Sequence, residues 1–109
     1  MNQAIYDCIA GAAREQRVVH YGEIAPLAHL DMADPHHRKV LGDMLDEISR
    51  AEDASGHPLL SAVVVQKESS MPGNGFFVLA RELGRWNGSD EQGFFVKELK
   101  RVYDYWRKS

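Results

Sequence analysis

The sequence predicts a helix-rich α+β domain, and three observations carry that expectation. Five stretches place apolar residues at helical spacing. One short run, Leu59 to Val65 ("LLSAVVV"), is almost wholly apolar, rich in β-branched residues and bounded by turn residues, which marks a strand covered on both faces. A polar loop rich in Gly and Pro follows it, from Gln66 to Gly75.

Taken in order, Asn2 to about Arg17 is expected to be a helix, with Ala4, Ile5, Cys8, Ile9, Ala12 and Ala13 on one apolar face. Cys8 on that face is expected to be a buried, inert thiol. "RVVH" (17–20) is a brief strand or an extended link. "YGEIAPLAHL" is a short helix with Ile24, Leu27 and Ala28 as its buried stripe, and Pro26 fits only in a first turn. Asp34 is a good N-cap and Pro35 a good first residue for the next helix. Val40, Leu41, Met44, Leu45 and Ile48 give that helix its inner face, and Gly56 stops it. Gly42 within it costs about 1 kcal/mol against Ala, which suggests a backbone packed close by. "GFFVLARELG" fits a helix better than a second strand. Ser89 with Gln92 suggests a capping box for a last helix, about Asp90 to Lys108, with Phe94, Phe95, Leu99, Val102, Tyr103 and Trp106 inward.

The order is helix, helix, helix, strand, loop, helix, helix. It matches a winged helix-turn-helix-like core closed over its sheet by a C-terminal helical pair. "RVVH" would pair with the lone strand, and the loop would be the wing. At 109 residues the chain is one domain, 1–109, large enough to bury a core. Its hydrophobic (44%) and charged (27%) fractions are ordinary for a soluble protein. The single cysteine excludes an intrachain disulfide and agrees with a cytoplasmic location. No leader is expected at the N-terminus, and no apolar run approaches the length of a membrane span. The net charge of −3 argues against strong nonspecific binding to nucleic acid but leaves room for a local basic patch.

"RVVHYGEIAPLA … RKVLGDML … SGHPLLSAVVVQ", residues 17 to 66, resembles the DNA-binding domain of the O6-alkylguanine-DNA alkyltransferases and the catalytically inactive alkyltransferase-like proteins. The closest match is Tyr21-Gly22-Glu23-Ile24-Ala25. The resemblance implies a winged-helix fold and DNA as partner, with Arg38 or Lys39 standing where the family places an arginine that replaces a flipped base. Where the family has Pro-Cys-His-Arg, this chain has Pro58-Leu59-Leu60-Ser61. Nothing there can hold a thiolate, so no alkyl transfer is expected.

The expected DNA contacts are His36, His37, Arg38 and Lys39 at the start of the middle helix, Tyr21, and Lys67, Ser69, Ser70 and Asn74 on the wing. Against them stands the helix body: Asp43 to Asp53 carries five acids and Arg50, a net of 1 − 5 = −4. The alternative is therefore a protein-interaction module. It would use this acidic helix, or the C-terminal helix with Arg101, Tyr105 and Trp106. From Lys97 to Ser109 that helix nets 5 − 2 = +3, and one of its clustered aromatics must be exposed. A third alternative is a small metal-dependent hydrolase. The adjacent His36 and His37, with His29, Asp31 and Asp34 nearby, point about 100° apart on a helix and make a poor ligand set. Ser61 near His57 lacks a nucleophile elbow. No cofactor, metal or catalytic residue is assigned.

Overall fold

The computed structural model describes residues 1–107; Lys108, placed in the last helix above, lies outside them with Ser109. The domain is helix-rich α+β. Helix α1 spans Gln3–Arg14, strand β1 Val19–His20, and α2 Tyr21–Ile24. A 3-10 turn follows at Ala25–Ala28, then α3 (Pro35–Ala54), a second 3-10 turn (Leu60–Val63), β2 (Val64–Val65), α4 (Asn74–Glu82) and α5 (Glu91–Arg107). Among the described residues no helix is long and apolar enough to cross a membrane.

Local chemistry explains where the elements begin and end. The Asn2 side chain accepts the Ile5 amide at 3.0 Å and starts α1. The helix stops three residues short of the expected end. Gln16 adopts a left-handed conformation, φ 56°, and the Arg17 amide turns back to the Ala12 carbonyl at 3.0 Å. Gln rarely announces such a stop. Asp34 caps α3 through the His36 amide at 2.8 Å, with Pro35 first in the helix as expected. Gly56, φ 77°, ends the same helix by sending the His57 amide to the Glu52 carbonyl at 2.9 Å.

Two short-range expectations fail. Leu27 is 42% exposed, because Pro26 opens a 3-10 turn whose tighter winding rotates Leu27 off the buried stripe. Asp90, not Ser89, caps α5: its carboxylate accepts the Gly93 amide at 3.0 Å. Ser89 instead gives its carbonyl to the Trp86 indole and its hydroxyl to Asn87.

"LLSAVVV" is buried along its whole length, yet only its last two residues are strand. β2 pairs in parallel with β1, Val19 opposite Val64, so "RVVH" is the partner. The preceding four residues coil because their polar groups are satisfied by side chains rather than by a ladder. The Leu59 amide donates to the Glu98 carboxylate at 2.8 Å, and the Ser61 amide donates to the Ser49 hydroxyl at 3.0 Å. The Ser49 and Ser61 hydroxyls meet at 2.6 Å. This turn is the centre of the fold, with α1, α3 and α5 packed around it. Helix α5 thus closes over the turn and α1, while α4 leans on α3.

Glu98 on α5 is 2% exposed and anchors a polar seam. Besides Leu59 it binds the Arg101 guanidinium at 2.6 Å. Arg85 reaches Asp53 and the His57 carbonyl, each at 2.6 Å. His57 in turn joins Glu52 at 3.3 Å to Tyr105 at 2.9 Å.

Candidate functional site

A cleft of about 850 Å³ opens between α2, α3 and the turn that follows β2. Each wall has a sequence cause. The α3 wall is one helical stripe, Arg38, Gly42, Leu45 and Asp46, at the spacing that puts residues on one face. The α2 wall supplies Tyr21, Gly22 and Glu23, oriented by a reciprocal cap in which Glu23 accepts the His20 amide at 2.9 Å. The third wall comes from the two ends of the following segment, Gln66, Lys67 and Glu68 with Gly73 and Gly75, and Phe76 adjoins it.

The turn is internally tied. The Gln66 amide donates to the Met71 carbonyl at 2.8 Å and the Ser70 amide to the Gln66 carbonyl at 2.9 Å, with Ser70 left-handed at φ 57°. The Ser69 hydroxyl accepts the Met71 amide at 3.2 Å. Tyr21 pins the far end by accepting the Gly73 amide at 2.8 Å. Burial pushes the Tyr21 phenol above its usual range, opposed by that amide. Residues 66–70 stand exposed, while Pro72 is buried. The projecting turn is therefore fixed at both ends. It is not a β-hairpin, since α4 begins directly at Asn74. Asn74 belongs to that helix and not to the loop.

Of the expected DNA contacts, the structure brings Tyr21, Arg38 and Lys67 to this one cleft. Ser69 and Ser70 lie on the exposed part of the turn. Lys39 is held by Asp43 at 3.2 Å, so of the two candidates at the start of α3 it is Arg38 that faces the cleft. Arg38 donates one nitrogen to the Met32 carbonyl at 3.0 Å. His36 is exposed; His37 accepts the Asp31 amide at 2.9 Å and lies 3.7 Å from Asp34. Neither lines the cleft. Backbone bonding from His36 lowers the Asp34 carboxyl.

The acids of α3 do not form one face. Glu47 meets the Met1 amino group, Asp53 meets Arg85, Glu52 turns inward to His57, and Asp46 enters the cleft. Gly42 has no close neighbour: a Cβ built there meets nothing within 4 Å, so the expected tight backbone contact is absent and open cleft lies in its place. The spacing Arg38–Gly42–Asp46 was the signal that could have found this wall.

At α5, Tyr105 is the exposed aromatic, at 38%, and its hydroxyl is engaged by His57. Trp106 is only 6% exposed, with Arg14 5.0 Å over its ring, and belongs to the core. Arg101 is tied to Glu98. Cys8 is half-buried, not fully enclosed as expected. Leu59 and Leu60 are fully buried. Among the described residues no group of three or more His, Cys, Asp or Glu is placed to hold a metal ion. No family model, curated protein or solved structure matches this chain.

Proposed function

We propose that this domain binds duplex DNA, without catalysis, as a winged-helix-like regulatory module. The observation that carries the reading is the convergence of Arg38 from the start of α3, Tyr21 from α2 and Lys67 from the rigid projecting turn on a single cleft. The α2–α3 pair would meet the groove with the N-terminal turn of α3. The turn after β2 would lie along the adjacent backbone, as a wing does. The resemblance of residues 17 to 66 to the alkyltransferase DNA-binding domain supports the same orientation, and the dispersal of the α3 acids weakens the electrostatic objection to it. On this reading the parallel pairing of β1 with β2, and a helix from Asn74 where a winged helix has a hairpin, would make the domain a reduced form of that architecture.

Phosphate contacts release counterions, so each cation engaged steepens the salt dependence by about one unit. Fluorescence anisotropy with a short labelled duplex at low salt tests the proposal. Micromolar binding is expected, weakened about tenfold or more when Arg38→Ala is combined with Lys67→Ala, with a shallower salt slope. Lys39→Ala, whose ammonium is held by Asp43, is expected to matter less. Absence of binding at micromolar protein, or binding indifferent to the double substitution, overturns the reading.

A further inference from the structure

The cleft carries a charge that duplex binding does not use. Glu23, Glu68, Arg38 and Lys67 on its walls are exposed, whereas Asp46 is half-buried. The Asp46 side chain makes no hydrogen bond or ion pair with any described residue. Beside it on the floor lie Leu45 and Phe76, both buried, and Met32. Burial is the main cause that pushes its carboxyl above the ordinary range, with Asp43 and Glu82 adding to it and Arg50 and Lys39 opposing. A half-buried carboxylate without a partner, beside an apolar floor, is a good neighbour for a cation that brings its own donors, while Arg38 and Lys67 on the same walls are exposed to solvent.

We propose that the cleft is a binding site for a small planar organic cation, an aryl amidine or aryl amine, whose charged nitrogen meets Asp46 while its ring lies between Phe76, Leu45 and Tyr21. The volume, about 850 Å³, falls within the range of small-molecule sites. Gly42 keeps the α3 wall open, since a side chain there would project into empty space. The proposal does not depend on the DNA reading; a cleft that holds a cation and a domain that ignores DNA are compatible.

Benzamidine is the probe, with benzamide as its uncharged counterpart of nearly the same shape. In an amide-detected NMR titration of the 109-residue chain, benzamidine is expected to shift the Gly42, Asp46, Gly73 and Gly75 amides saturably. The Kd should be on the order of 1 mM, as suits so small a ligand. Benzamide should bind about tenfold more weakly, and Asp46→Asn should weaken benzamidine by about the same factor. Gly42→Leu puts a helix-compatible side chain into the opening and should abolish the shifts while leaving the rest of the spectrum in place. Equal binding of the two probes, no saturable shift of these amides, or undiminished binding to Gly42→Leu overturns the proposal. If Asp46→Asn or Gly42→Leu fails to fold, the comparison of the two probes on the unaltered protein still decides.

Discussion

At the C-terminal end of α3, Glu52 and Asp53 reach His57 and Arg85, and the seam continues through Glu98 to Arg101. Earlier on the same helix Asp46 faces the cleft with no partner. Both regions combine acids, bases and a tyrosine. In the seam the charges pair between α3, Arg85 and α5, although one Glu52 carboxylate oxygen is buried without a hydrogen-bond partner among the described residues. In the cleft Tyr21 holds Gly73, Glu23 caps α2 and Arg38 reaches the Met32 carbonyl, while Asp46 and Lys67 remain available. The seam ties its charges to one another across the chain, whereas the half-buried, unpaired Asp46 is the group on which the proposed cation site rests.

The sharpest way to break this contrast is at Glu98. Glu98→Ala leaves the Leu59 amide and the Arg101 guanidinium without their acceptor beneath α5. Removing one partner from a buried charged network costs about 3–5 kcal/mol, and Glu98→Gln, which still accepts from Leu59, should cost less. Urea unfolding of the two variants measures both; a loss under about 1 kcal/mol for the alanine variant would mean the seam is not what holds α5 in place.

That seam is also what the sequence conceals. Asp34–Pro35 at the start of α3, Gly56 at its end and the pairing of "RVVH" with "VV" are written in local signals, and all three appear in the structure. The coiling of Leu60–Val63 is not, because the groups that replace a strand ladder lie far along the chain: Glu98 is 39 residues from Leu59 and Ser49 is 12 from Ser61. An apolar run looks the same whether its amides go to a neighbouring strand or to buried side chains. The cleft was half legible. Tyr21, Arg38 and Lys67 could be named as contacts because they are polar and sit beside turns. In the sequence Asp46 is one acid of an acidic run, and a glycine inside a helix suggests a close neighbour that Gly42 does not have. Helical spacing joins them with Arg38, but only the facing walls from α2 and the turn show that the stripe borders a cavity.

A smaller effect is expected on the cleft's own scaffold. Tyr21→Phe removes the acceptor for the Gly73 amide without changing the ring. A lone hydrogen bond of this kind contributes about 1 kcal/mol, and its loss releases one end of the projecting turn. Hydrogen exchange should show the Gly73 amide faster by about the corresponding factor of five, with the seam amide of Leu59 unchanged. Acceleration at both amides would mean that the two regions unfold together and that the contrast between them is only geometric.

The smallest effect concerns the sign of the charge at Asp46. Its carboxyl is raised in the folded chain, chiefly by burial, so the folded protein binds that proton more tightly than the unfolded chain does. Its contribution to stability is therefore intact at pH values below the ordinary Asp range and declines as pH rises through the window between the unfolded and folded values. Asp46→Asn lacks this decline. The variant should match the parent near the bottom of that window and exceed it at neutral pH, by no more than about 0.5 kcal/mol because the group remains partly solvated. Paired urea midpoints across the pH range read the difference. A variant that is instead less stable at neutral pH would mean that Arg50 or Lys39 outweighs burial and already supplies the cation. The cleft would then belong with the seam, as a region whose charges are satisfied from within.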